Sequence, residues 1–177
     1  MDGKHVCVRC PVGSGSLFFN YKKTFSTILF AIADANYKFL YIDVGTNGRV
    51  NDALVFSKST FCEALDQDSL HLPRGAVFVG DDAFPLRPDL LKPFSRCGPL
   101  NRTQKIFNYR LSRARRCVEN AFGLLVARFR IFEKPLFVAL PTAEKIVRTC
   151  CALHNYLTET SRGAECSLRY DREFSGK

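Results

Sequence analysis

Residues 24–45 read TFSTILFAIADANYKFLYIDVG, and this stretch decides the fold class. Residues 24–34 are an apolar run that ends in Asp34-Ala35-Asn36, residue types that favour a turn. Residues 37–45 are rich in aromatic and β-branched side chains and close on Gly45. Two such runs around a short turn predict an antiparallel hairpin. Working outward, Val6 and Val8 around Cys7 supply a further strand. Residues 76–80 (Ala-Val-Phe-Val-Gly) form the short, wholly apolar run expected of a buried central strand. Between the hairpin and that run, residues 52–65 read as a helix weakened by Ser57, Ser59 and Thr60.

Helices dominate the second half. Over 108–130, Leu111, Ala114, Val118, Phe122, Leu125 and Phe129 recur at spacings of three and four, a single apolar stripe. Glu119 falls at the edge of that stripe, beside Arg115. A second helix is expected over 142–158, with Thr142 as its N-cap and Ile146, Cys150, Leu153 and Leu157 as its apolar face. Residues 159–177 are polar, mixed in charge and without period, so they read as a disordered C-terminal tail. Strands, helix, strand, then helices make an α/β domain with a mixed sheet.

Composition narrows the function. With 177 residues, 46% hydrophobic and 24% charged, the chain suits one domain that needs no disulfide or metal to fold. No run approaches the ~20 apolar residues of a membrane span, and Asp2, Lys4 and Arg9 interrupt any signal peptide. Eight cysteines then read as reduced thiols inside the cell. Cys7-Val8-Arg9-Cys10 has thiolate spacing for zinc, but no second pair follows, which leaves two ordinary strand cysteines. The net charge is +9, and its location matters. Residues 1–95 hold ten basic and ten acidic side chains, whereas 96–130 hold nine basic ones against Glu119 alone. An excess gathered in one segment points to a polyanion, nucleic acid above all, in competition with a solvated helix face.

Single acids carry little by themselves. Asp81 follows the run 76–80, at the end of a strand where open α/β sheets place ligands, yet an Asp there is also a common turn residue. Asp2 precedes the first strand-like segment, and Glu119 has Arg115 four residues earlier as a ready partner.

Their surroundings are more specific. Asp2-Gly3-Lys4-His5-Val6, Gly48-Arg49-Val50-Asn51-Asp52 with Phe56-Ser57-Lys58-Ser59, and Gly80-Asp81-Asp82-Ala83-Phe84-Pro85-Leu86 follow one another in order. After them come Phe107-Asn108, Ser112 to Arg115, Val118-Glu119 with Phe122-Gly123, and finally Leu153-His154-Asn155. This series resembles the DDE endonuclease domain of Harbinger-type transposases and the nucleases domesticated from them, over residues 1–158. Phe84 stands where that family usually has Tyr, Asn51 where it has His, and Asp82 adds a second acid beside Asp81.

The resemblance implies a ribonuclease-H-like fold, a mixed sheet of about five strands flanked by helices. It implies that Asp2, Asp81 and Glu119 meet at one end of the sheet as catalytic, metal-binding carboxylates, with Asp52 as an accessory near the metal. Thirty-seven residues lie between Asp81 and Glu119, in keeping with such domains. The cofactor implied is Mg²⁺ or Mn²⁺, as two ions roughly 4 Å apart, which activate a nucleophile and stabilise the leaving oxygen of a phosphodiester. Hard divalent ions take oxygen ligands, hence the need for carboxylates. Arg110, Arg113, Arg115 and Arg116 would hold DNA phosphates. The expected function is a nuclear DNA endonuclease of transposase origin with a cytoplasmic pool, assisted by a Myb-like DNA-binding partner. The alternative is a remnant that binds DNA or a partner without cutting. Only Met1 precedes Asp2 here, so the first strand is expected to fray at its start, with weak metal binding and poor nicking.

Overall fold

In a computed structural model, residues 1–95 and 97–160 are described in full, and the helical backbone as far as Phe174. Strand β2 (Ser26–Ala33) pairs antiparallel with both β1 (Asp2–Cys7) and β3 (Phe39–Asn47), giving the order β1-β2-β3. The predicted hairpin is β2 and β3. Its turn is anchored by Asp34, whose Oδ1 accepts from the backbone N–H groups of Asn36 (2.8 Å) and Lys38 (3.0 Å).

Successive side chains of a strand point to opposite faces. Ile28, Phe30 and Ile32 therefore enter one core, with Val55 and Phe56. Leu29 and Ala31 enter another, with Val118, Leu125 and Val147. Burial on both faces explains why this central strand reads as an unbroken apolar run.

On the first face the stretch 52–65 is two helices, α1 (Asp52–Ser57) and α2 (Thr60–Asp66). Ser59 makes the break. Its buried hydroxyl donates to Phe56 O (2.6 Å) and accepts from Cys62 N (3.2 Å), ending one helix and capping the next.

The expected central strand over 76–80 shrinks to β4 (Phe78–Val79), half-buried and parallel to β5 (Leu90–Leu91). Five strands are present among the described residues, but they divide into a three-stranded antiparallel and a two-stranded parallel sheet rather than one ladder. Pro85, Pro88 and Pro93 lack the N–H groups a longer β5 ladder would need. The α-ammonium group of Met1 donates to Val79 O (2.6 Å), linking the start of β1 to β4. The start of β1 is accordingly held, not frayed, with the Met1 side chain buried beside Phe30 and Phe84.

On the opposite face lie α3 (Arg102–Arg128), a short 3-10 turn (Arg130–Glu133) and α4 (Leu140–Phe174). Helix α3 starts six residues ahead of the expected position because Asn101 and Gln104 form a reciprocal capping box. Leu111, Val118, Phe122 and Leu125 form its buried stripe as predicted, while Ala114 is exposed.

The buried face of α4 differs from the expected one. Leu153 and Leu157 are exposed, and Ala143, Val147, Cys151 and His154 are buried. His154 Nε2 bonds to Tyr37 O (2.8 Å) and Arg128 reaches its Nδ1 (3.2 Å), so a polar residue is satisfied within the apolar face. Asn155 next to it both donates to Phe39 O and accepts from Phe39 N, each at 2.8 Å. The Leu-His-Asn element thus fastens α4 to the edge of β3. The expectation of a disordered tail over 159–177 concerns residues whose side chains, from position 161 on, lie outside those described.

Candidate metal centre

Asp2 opens β1, Asp81 follows β4, and Asp52 opens α1. The bond between Met1 and Val79 sets the first two side by side, and α1 lowers the third onto them. One carboxylate oxygen from each of the three lies within 4.8 Å of the others. Among the described residues this is the group of acids, histidines or cysteines able to hold a metal ion.

Local bonds aim each acid. Asp2 Oδ1 accepts from Gly3 N (2.9 Å), and Asp81 Oδ1 accepts from Ala83 N (2.9 Å). Asn51, in the position where the family usually has His, caps α1 by accepting from Leu54 N (2.9 Å). Asp52 then lies directly over Gly3, where an added Cβ would come within 2.1 Å of its Oδ1. Gly3 is what leaves room for the third carboxylate. Gly80 plays a matching part before Asp81, since a Cβ there would meet the ring of buried Phe84 at 2.8 Å.

The electrostatics are those of crowded anions. Burial, then the charges of Asp2 and Asp81, push the Asp52 carboxyl up to about 6. Burial also raises Asp2, against the attraction of Arg115. Such a group wants a cation, and its all-oxygen donor set suits a hard divalent one.

Glu119 stands outside the three. Its carboxylate accepts from Arg115 (2.5 Å), and Arg115 also lies 3.6 Å from Asp81 Oδ2. The structure therefore joins Glu119 to the cluster through a guanidinium, and it turns Arg115, expected on phosphates, toward the acids. Arg110, Arg113 and Arg116 are exposed along α3, with Arg113 stacked 5.9 Å from the centre of the Tyr109 ring. Asp82 is exposed and is not among the grouped acids, whereas Asp81 is. Asn108, from the Phe-Asn element, clamps the backbone of Phe94 (2.8 and 3.0 Å). With Ser112, Arg115 and Asp81 it lines a cleft of about 470 Å³ beside the acids.

The sequence named Asp52 as an accessory near the metal, and the structure places it over Gly3, grouped with Asp2 and Asp81. The signal was present in Asp2-Gly3, whose bare Cα makes space for another side chain. The inward turn of Arg115 left no trace beyond its spacing from Glu119.

With this geometry in view, comparison with known proteins becomes informative. A family model described as DDE superfamily endonuclease matches residues 1–155. The chain belongs to the DDE superfamily endonucleases. The Harbinger-type resemblance read from the motifs is borne out at this level. Among curated relatives of this DDE chain is the "Protein ALP1-like" of Arabidopsis thaliana, 29% identical over 175 residues, which cover 90% of this chain and 42% of that protein. The chain thus spans less than half the length of that relative. No solved structure matches.

Proposed function

We propose that this DDE domain is a divalent-metal-dependent DNA endonuclease of transposase origin. The observation that carries the reading is the convergence of Asp2, Asp52 and Asp81 within 4.8 Å, with Asp52 pushed up to about 6 by its neighbours and burial. A ribonuclease-H-like sheet belongs to the same proposal, with β4 and β5 continuing the three-stranded sheet beyond β1. The bond from the Met1 amino group to Val79 O, between β1 and β4, supports that order.

Asp2 and Asp81 would hold Mg²⁺ or Mn²⁺ with Asp52 as a further oxygen donor. When bound, a pair of such ions supplies Lewis-acid activation of the attacking and leaving oxygens of a phosphodiester. The chain's own residues position the strand. Arg110, Arg113 and Arg116 offer phosphate contacts on the exposed side of α3. Arg115 holds Glu119 in an ion pair, and a DNA phosphate competes for that guanidinium. Exchange of Arg115 from carboxylate to phosphate frees Glu119 as the fourth acid, tying its release to the arrival of substrate. Nuclear location, a Myb-like partner for site recognition and a DNA substrate belong to the same proposal.

A second reading is favoured by one observation. Arg115 already pairs with both Asp81 and Glu119, a self-neutralised arrangement that would suit a DNA-binding remnant. A plasmid-nicking assay with Mg²⁺ or Mn²⁺ separates the two. The endonuclease reading expects cleavage that EDTA and Asp81→Asn abolish. DNA binding without cleavage under any divalent ion establishes the remnant instead.

A further inference from the structure

The cluster of acids has a second neighbour that the basic segment of α3 does not account for. Gly3 and His5 share a face of β1, so the groove that begins with Asp52 over Gly3 continues to His5, about 7 Å along the strand. Beyond His5 stands Tyr21, edge-on at 5.5 Å between ring centres. His5, Phe19, Tyr21, Arg49, Asn51 and Asp52 line one cleft of about 390 Å³.

Its wall is built, although it is a loop. Asn20 is buried. Its Nδ2 donates to Ser26 Oγ (2.8 Å) and Thr24 Oγ1 (3.0 Å), while its Oδ1 accepts from Lys22 N (2.9 Å) and Thr24 N (3.1 Å). Ser26 Oγ also bonds His5 Nδ1 (2.9 Å), so loop and strand share one polar network. Phe19 packs edge-on against Phe25 at 5.2 Å. The turn carrying Arg49 presses against this loop and the start of β2 at Gly48, where a Cβ would come within 2.9 Å of Phe18 O and 2.2 Å of Ser26 Oγ.

Such rigidity fixes a ring that the protein itself barely covers. Tyr21 is 79% exposed, and Lys22 Nζ lies 5.4 Å from its ring centre. Lys22 and Arg49, which shares the cleft with Tyr21, are exposed, as is Lys23 two residues on in the chain. An aromatic face among cations, on a firm support beside phosphodiester chemistry, is the form taken by single-strand platforms. Every base has a π-face to stack there, and the cations meet the backbone. A base inside a duplex is already stacked on both sides, so this ring rewards an unpaired one.

We propose that the cleft between Asp52 and Tyr21 receives an unpaired base of the DNA strand whose phosphate lies at the acids, with Tyr21 as the stacking surface. The inference rests on the endonuclease reading for the nature of the substrate.

The test uses the full chain in EDTA, so that binding is separated from cleavage. The probes are a blunt duplex and the same duplex with a short unpaired flank containing 2-aminopurine, read by anisotropy and by quenching. The wild type is expected to prefer the flanked duplex and to quench the probe base. Tyr21→Ala should weaken flanked binding by roughly tenfold and remove the quenching, leaving blunt binding unchanged, and Tyr21→Phe should restore both. Equal affinity for the two duplexes, or equal loss on both in Tyr21→Ala, overturns the proposal. If metal-dependent nicking persists alongside that result, the endonuclease reading survives alone. Absence of any DNA binding overturns both.

Discussion

Asp52 and Glu119 are chemically near-equivalent, yet the fold treats them differently. Asp52 is set at the start of a short helix packed on the sheet, is half-buried over Gly3, and forms no ion pair among the described residues. Glu119 is exposed on the middle of a long helix and already paired with Arg115. Rigid neighbours place the first without flexibility and leave its charge unanswered. A solvated helix face lets the second swing and satisfies it locally. On the proposed function, the centre therefore divides into a fixed part that would take a cation and a movable part that a phosphate would release.

Removing a member of the fixed part should have the largest effect. Asp81→Asn is expected to lower divalent-ion affinity by about a hundredfold or more and to abolish nicking, measured by calorimetry and plasmid conversion. Gly3→Ala comes next and is the sharper probe, because every acid is kept. The new Cβ must displace Asp52, and metal affinity should fall by roughly ten- to a hundredfold. Unchanged affinity would mean that Asp52 serves no binding purpose.

On the helix side the effects are smaller. Arg113→Ala with Arg116→Ala should leave metal affinity intact and reduce the salt dependence of DNA binding by about two units of slope. A steep slope retained in the double variant would return these arginines to a solvated face.

The pH dependence separates the two acids further. Asp52 rises in the folded chain from 3.8 to about 6, so between those values the folded state holds more protons than the unfolded one. Its contribution to the stability of the metal-free protein is thus present at low pH and lost as pH rises through that window. With its exposed edge screened by solvent, the change is roughly 1 kcal/mol. Asp52→Asn should flatten that part of the pH–stability curve, and saturating Mg²⁺ should offset the loss. Glu119→Gln has the smallest expected effect on the metal-free protein, below about 0.5 kcal/mol in thermal unfolding, as for any exposed pair four residues apart on a helix.

Much of this was legible in the order of residues. The alternation buried in 26–33, the turn at Asp34 and the stripe from Leu111 to Leu125 each follow from a single element's period. What was not legible depends on contacts between distant elements. The break at Ser59 needs Phe56 O as a partner, and the buried face of α4 turns on His154 finding Tyr37 O. The place of Asp52 is set by Gly3, 49 residues earlier in the chain but beneath it in space. Charge behaved likewise, for the balanced first 95 residues hide exposed cations gathered around Tyr21.

The most direct measurement of the central claim is a Mn²⁺ titration of the DNA-free chain, comparing Asp52→Asn with Glu119→Gln. The fixed part alone should bind, so Asp52→Asn is expected to weaken binding by at least about tenfold, with Glu119→Gln equal to wild type until DNA is added. Deep loss in Glu119→Gln without DNA, with Asp52→Asn intact, would contradict the account.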